Sequence, residues 1–314
     1  MRKGADGVWS VTMGPLEPGS YRYGFSVDGA NVTDPRNIET ERMQVLTRSI
    51  VHIPGADFMD LHEVPHGAVS VVTYHSKVLG KARRLHVYTP PGYESSKQRY
   101  PVLYLLHGAN ESDESWTTVG RAGFILDNLI AERKAVPTIV VMPNGHADQT
   151  PPVILGPVAT GAPPLLHVEL TDIPKEFASD IVPYVDGRYR TLADRAHRAI
   201  AGLSMGGTQT LFISMDNLNG FSAIGVFSSG ILGGTVADWE QEHLAALNDT
   251  RNREALKTVW FRTGAEDFLL KTTESTVEML RKHGFDVNYQ QSGGSHTWVN
   301  WRSYLHEFVP LLFR

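Results

Sequence analysis

Gly202-Leu203-Ser204-Met205-Gly206 decides how the rest of this chain is read. The apolar run Arg198-Ala199-Ile200-Ala201 precedes it, and the helix-forming run Thr208-Gln209-Thr210-Leu211-Phe212-Ile213 follows. That is a strand, a sharp turn and a helix. A serine on such a turn is pushed out beyond the sheet edge, with its hydroxyl exposed and its backbone strained. The flanking glycines have a steric reason: a Cβ at Gly202 or Gly206 would collide where strand and helix cross. G-x-S-x-G alone is a weak signal in glycine-rich chains. The strand–turn–helix context is what makes Ser204 a candidate nucleophile.

A nucleophilic serine needs a base, and the base needs a group to orient it. Downstream, Thr258-Val259-Trp260-Phe261-Arg262 reads as a buried strand that ends in Thr263-Gly264-Ala265-Glu266-Asp267. An acid just past the carboxyl end of a sheet strand lies on the same edge as the serine turn. The next strand, Asp286-Val287-Asn288-Tyr289-Gln290, runs into Gly293-Gly294-Ser295-His296-Thr297-Trp298. His296 thus follows the last strand, in the chain order nucleophile, acid, histidine. Glu266 and Asp267 are neighbours and point different ways; the shorter Asp267 is favoured as orienter. His283, ahead of Gly284, reads instead as a cation at a helix C-terminus. Tyr100-Pro101-Val102-Leu103-Tyr104-Leu105-Leu106 is a continuous apolar strand ending in His107-Gly108-Ala109-Asn110. A backbone N–H from this loop, Ala109 first and Asn110 second, would join the Met205 N–H as an oxyanion hole. His107 is read as shaping the loop.

On these residues the chain resembles the esterase D-type α/β-hydrolases, specifically carbohydrate esterase family one with its feruloyl and acetyl xylan esterases. The matching segments are Leu105-Leu106-His107-Gly108, Ser115-Trp116-Thr117-Thr118-Val119-Gly120-Arg121-Ala122 and Ile139-Val140-Val141-Met142-Pro143-Asn144-Gly145. Ile200-Ala201-Gly202-Leu203-Ser204-Met205-Gly206-Gly207 and Gly294-Ser295-His296-Thr297-Trp298 complete the set. The resemblance spans roughly residues 70–314. It implies a Ser–His–Asp triad of Ser204, His296 and Asp267, and it says less about the acyl group.

Composition agrees. The chain has 314 residues, 41% hydrophobic and 20% charged, enough for a sizeable core. A net charge of −5 offers no basic stripe for nucleic acid. There are no cysteines, so disulfides and thiolate metal sites are excluded. No apolar run reaches membrane-spanning length. The N-terminal Met1-Arg2-Lys3-Gly4-Ala5-Asp6-Gly7 lacks the apolar core of a signal peptide, and the compartment stays open.

Residues 1–55 read differently. Gly7–Met13 and Tyr21–Val27 alternate at period two around the turn Leu16–Ser20, the second closing on Asp28-Gly29, and a further strand is expected around Thr47–Ile53. This resembles the immunoglobulin-like early-set modules that precede some esterases. Val8–Asp34 matches the later part of such a module, so a truncated or minimal sandwich is expected. Its open strand edge needs cover from the catalytic domain or from a second copy in a homo-oligomer. Residues 56–68 read as a linker. Within them His62-Glu63-Val64-Pro65-His66 matches the zincin pattern, but Pro65 breaks the helix that pattern requires, so no metal site is expected.

Residues 69–314 are expected to form the catalytic domain. Strands are expected at Val69–Lys77, Leu85–Thr89, Val102–Leu106, Ile139–Met142, Arg198–Leu203, Ala223–Ser228, Val259–Arg262 and Val287–Gln290. Helices are expected at Gly123–Lys134, Ile173–Tyr189, Met205–Met215, Asp238–Leu247, Thr272–His283 and Trp301–Phe313. The order predicts a mostly parallel sheet with an antiparallel edge, covered by helices on both faces. The proline-rich stretch Asn144–Leu170 is expected to wall the site, with His146, Asp148 and Gln149 as substrate contacts. Trp116 and Trp298 are candidate platforms for an aromatic acyl group or a sugar ring.

The sequence therefore points to a serine carboxylester hydrolase without cofactor, acting on an acylated carbohydrate or aromatic ester. The resemblance favours feruloyl or acetyl groups on plant xylan. The alternatives are an enterobactin-type siderophore esterase, a mycolyl-type acyltransferase, or a carbohydrate-binding protein with an inactive hydrolase domain.

Overall fold

A computed structural model describes residues 1–147, 170–217 and 220–314. Eight strands form one sheet: β1 (Ala68–Ser76), β2 (Lys81–Thr89), β3 (Val102–Leu106), β4 (Ile139–Pro143), β5 (Arg198–Leu203), β6 (Ala223–Phe227), β7 (Thr258–Gly264) and β8 (Val287–Ser292). Their spatial order is β8-β7-β6-β5-β3-β4-β2-β1. The strands from β3 onward pair in parallel, whereas β2 pairs antiparallel with both β4 and β1. All eight expected strands are present, and the fold is that of an α/β-hydrolase.

The central strands have no polar face because both faces are covered. In β3, Val102, Tyr104 and Leu106 join one core cluster, and Leu103 and Leu105 join the other. The second cluster also holds α1 (Ala122–Ala131) and α9 (Trp298–Phe308), through Ile125, Leu126, Leu129, Leu305 and Phe308. On the opposite face lie α2 (Asp172–Glu176), α3 (Val182–Arg188), α4 (Met205–Asp216), α5 (Val236–Glu242), α6 (Leu244–Leu247), α7 (Thr250–Ala255) and α8 (Leu270–Lys282). A π-helical turn, Phe177–Ile181, joins α2 to α3. The sequence reading missed α7, a short helix rich in polar residues with no apolar stripe to announce it.

The N-terminal region forms three small sheets. Gly19–Tyr23 and Thr40–Arg42 flank Thr47–Ile53, Phe25–Val27 pairs with Ala30–Val32 across Asp28-Gly29, and Arg2–Lys3 pairs with Trp9–Ser10. Both Asp28 and Gly29 have positive φ, at 50° and 86°, as a tight two-residue hairpin turn requires. The expected strand over Gly7–Met13 shrinks to two residues, because Val8, Trp9, Val11 and Met13 join neither core cluster and stay more than half exposed. Residues 56–68 are no free tether. Met59 is buried and its carbonyl accepts from Arg121 Nε, Asn128 Nδ2 on α1 donates to the Asp60 carbonyl, and His66 Nδ1 lies 2.8 Å from Asp127. His62 pairs with Asp57 at 3.2 Å.

The crossing of β5 and α4 sets the geometry at the sheet edge. A Cβ on Gly202 would lie 2.3 Å from the Gly206 carbonyl oxygen, and one on Gly206 would lie 2.5 Å from the His107 carbonyl oxygen. Neither obstacle is the end of a flexible side chain. Gly206→Ala should therefore cost about 1–3 kcal/mol by overpacking. Scanning calorimetry should show a drop of roughly 2–4 °C per kcal/mol for a domain of this size; an unchanged Tm would mean that the crossing is loose.

Candidate active site

Ser204 sits between β5 and α4 with φ 50° and ψ −120°, a conformation that L-residues avoid. Four bonds hold it there: its N–H donates to the Phe227 carbonyl at 2.9 Å, and its carbonyl accepts from Ser229 Oγ at 2.6 Å, from Gly207 N–H at 2.9 Å and from Thr208 N–H at 3.2 Å. The side chain is thereby aimed at the loop after β8.

Here the structure brings together three residues far apart in sequence. Ser204 Oγ lies 3.0 Å from His296 Nε2, and His296 Nδ1 lies 3.0 Å from each carboxylate oxygen of Asp267. The acceptor at Nδ1 is a carboxylate, so the proton belongs on Nδ1 and the Nε2 lone pair faces the serine hydroxyl. Asp267 also accepts the Leu269 N–H at 2.9 Å. Burial pushes its carboxyl pKa up, but the hydrogen bond and charge of His296, with the Leu269 N–H, outweigh burial and hold it below the ordinary carboxylate value. Its neighbour Glu266 is exposed and takes no part in this chain of bonds.

The loop after β3 lies against the serine. A Cβ on Gly108 would come within 3.4 Å of Ser204 Cβ. Met205 opens α4, so its N–H has no carbonyl one turn earlier and points out of the positive helix end. Among the described residues the Ala109 N–H makes no hydrogen bond. Asn110 adopts φ 62°, and its carbonyl accepts from Gln44 N–H. His107 is buried, its Nδ1 donating to the Gly108 carbonyl at 2.8 Å and its Nε2 accepting the Gly145 N–H at 2.9 Å. An accepting Nε2 is unprotonated, and burial lowers the ring's pKa; the sequence suggested a loop-shaping residue, and the ring brackets this loop against the one after β4.

Buried charges hold these loops in place. The Arg83 guanidinium grips Glu176 of α2 and donates to the Asn144 and His146 carbonyls past β4. Asp113 accepts Arg84 at 2.7 and 2.9 Å and His86 Nδ1 at 2.8 Å, and it anchors the loop after β3 to β2. Glu111 is a hub that no sequence motif announces. One oxygen accepts Arg22 Nη1 at 3.0 Å and Trp298 Nε1 at 2.8 Å; the other accepts Gly108 N–H at 3.3 Å. Arg22 also grips Glu41 at 2.6 and 2.8 Å. Burial raises the Glu111 pKa and Arg22 opposes it. Arg302 of α9, buried with its pKa pushed down to about 10 by desolvation, donates to the carbonyls of Ser20 and Val119. The N-terminal sheet is thus bound to the loop after β3 and to the helix after His296.

The expected aromatic platforms fail on burial. Trp116 is 1% exposed and donates its indole N–H to the Leu106 carbonyl; Trp298 is 8% exposed and bonded to Glu111. Their rings meet edge to face at 5.0 Å, so both indoles serve core packing. His146 is buried as well, its ring 5.2 Å from His107. Asp148 and Gln149 lie outside the described residues. Beside the triad residues, Phe268 is 64% exposed with its ring 4.4 Å from the His296 ring. Its only sequence signal was its place beside Asp267.

The family model described as "Putative esterase" matches residues 76–312. The endo-1,4-beta-xylanase/feruloyl esterase of Xylanibacter ruminicola is 31% identical over an alignment that spans all of this chain and 41% of that protein. The chain therefore spans about two fifths of that relative's length. Among solved structures, a ferulic acid esterase has a TM-score of 0.64 at 27% identity, covering 78% of this chain and 97% of the other. The feruloyl esterase module from Clostridium thermocellum, complexed with sinapinate, shares the fold at a TM-score of 0.69 and 20% identity, covering 83% and 93%.

Two outcomes are expected from the supporting charges. Arg22→Met leaves the Glu111 carboxylate buried without its cation, which destabilises by about 3–5 kcal/mol in such pairs. Loosening the Gly108 loop should also lower kcat by about 10- to 100-fold while KM moves little. Steady-state kinetics and thermal melts check this, and adding Glu111→Gln to Arg22→Met should recover part of the lost Tm. For Asp113, burial raises the pKa, but His86 and Arg84 lower it further, to about 2. An unfolded aspartate titrates near ~3.9. Its stabilisation is therefore present above that value and lost as pH falls toward about 2. Melts of Asp113→Asn across that window should lose this part of the acid sensitivity.

Proposed function

The chain belongs to the esterase family matched over residues 76–312, and on that premise we propose a serine carboxylester hydrolase for feruloyl-type esters of plant polysaccharide, acting through Ser204, His296 and Asp267. The observation that carries the proposal is the continuous hydrogen-bond chain from Ser204 Oγ through His296 to Asp267. The feruloyl preference is supported by the names of the relatives, the ferulic acid esterase at 27% identity included.

Ser204 Oγ attacks the ester carbonyl carbon while His296 Nε2 takes the hydroxyl proton. The carbonyl oxygen becomes an oxyanion, held by the N–H groups of Met205 and Ala109, each such donor contributing on the order of 3–4 kcal/mol. The intermediate collapses, the C–O bond to the alcohol breaks, and His296 returns its proton to the leaving oxygen. Water then attacks the acyl-enzyme by the same proton path and releases the acid and free Ser204. Asp267 keeps the proton on Nδ1 and stabilises the imidazolium. Against burial, His296 and the Leu269 N–H hold its carboxyl below the ordinary carboxylate value, which favours the charged form this role needs.

A panel of methyl ferulate, acetylated xylan and p-nitrophenyl acetate tests the reading. Ser204→Ala should abolish turnover of every ester that the wild type cleaves, with an unchanged melting curve. Asp267→Asn should lower kcat by roughly 10⁴-fold, by analogy with other triads. Retained turnover in Ser204→Ala would remove the nucleophile assignment. Acetyl release without ferulate release would remove the feruloyl preference alone.

A further inference from the structure

Phe268 stands at an unusual place for an exposed aromatic ring. It follows Asp267 directly, keeps 64% of its surface in solvent, and lies 4.4 Å, ring centre to ring centre, from the His296 imidazole at a tilt of 50°. The imidazole's other neighbour, Trp301, is buried and meets it edge-on at 4.9 Å. The histidine ring therefore touches both a buried indole that packs the core and a phenyl ring open to solvent. A single exposed apolar residue needs no explanation in general. One that covers the proton-transferring side chain of a candidate active site does, because leaving it in water forgoes the stabilisation that burial would bring.

Chemistry says which part of a substrate this ring would meet. In ester cleavage by a serine–histidine pair, Nε2 must come within hydrogen-bond distance of the leaving alcohol oxygen in order to protonate it. The acyl carbonyl oxygen points the other way, toward Met205 and Ala109. Whatever flanks the imidazole therefore flanks the alcohol. Trp116 and Trp298 cannot supply a face there, since both are buried.

We propose that Phe268 is the platform for the leaving alcohol, and that it takes the apolar C–H face of the sugar ring whose hydroxyl carries the acyl group. The proposal rests on the ester-hydrolase reading and deepens it. Phe268 recognises the carbohydrate half of the ester and is indifferent to the acyl half. The ring thus favours glycan esters over esters of small alcohols, which have no ring face to lay on it.

The test holds the acyl group constant and changes the alcohol. Methyl ferulate and a feruloylated arabino-oligosaccharide are each titrated against wild type, Phe268→Ala and Phe268→Trp, and the reading is the ratio of kcat/KM for sugar ester over methyl ester. Phe268→Ala should lower this ratio by about five- to tenfold, the scale of one aromatic stacking contact, mainly through KM on the sugar ester. Phe268→Trp should restore it. A ratio unmoved within about twofold, whether both esters slow together or neither does, overturns the platform; parallel slowing would instead make Phe268 a water shield for the His296–Asp267 pair. That result leaves the hydrolase reading standing, whereas a wild type inert on both esters overturns the platform and the feruloyl preference, and one inert on p-nitrophenyl acetate as well removes the hydrolase reading too. Phe268 is exposed, so its substitution leaves the core intact, and a melting curve alongside the kinetics verifies that.

Discussion

The structure depends on a place where two backbones come as close as backbones can. Helix α4 crosses strands β3 and β5 with Gly206 against the His107 carbonyl and Gly202 against the Gly206 carbonyl. Only hydrogen fits on those two α-carbons. The closeness has two effects at once. It forces Ser204 into a strained turn that holds its hydroxyl clear of the sheet, and it brings the head of α4 beside the loop after β3. The proposed nucleophile and oxyanion donors are therefore placed by one steric fact.

Around that crossing the loops are fixed by charge. Arg83 with Glu176, Arg84 with Asp113, and Arg22 with Glu41 and Glu111 tie the ends of β3 and β4 to neighbouring elements. Ion pairs in a protein interior are a weak source of stability, because desolvation offsets much of the attraction. Their directionality is what suits this edge. A guanidinium that must satisfy two carbonyls and a carboxylate allows one loop conformation where an apolar contact would allow several. Catalytic groups that must sit within a fraction of an ångström benefit from that.

The sheet and the serine turn were legible in the sequence because each rests on local pattern: apolar runs for strands buried on both faces, glycines where a Cβ cannot fit. The pairing of Asp267 with His296 was legible through their place after β7 and β8. What escaped was set by tertiary contact. Trp116 and Trp298 sit next to site residues in sequence, yet each indole turns inward because its N–H finds a buried acceptor, Leu106 or Glu111. Residues 56–68 read as a linker, but the Met59 and Asp60 carbonyls dock on Arg121 and Asn128. Glu111 carried no motif at all. Its three partners come from residues 22, 108 and 298, a convergence that no window of sequence contains.

That convergence bears on how such an enzyme can be rebuilt. An appended module is ordinarily an interchangeable cassette, clipped off or swapped while the remainder runs as before. Here the small N-terminal sheet supplies the counter-ion for a carboxylate inside the larger body and a backbone acceptor for a guanidinium of its last long helix. A cut at the sequence-defined boundary would strip an interior carboxylate of its cation and an interior guanidinium of one of its two acceptors, so the seam a designer would choose from composition is not where this molecule comes apart.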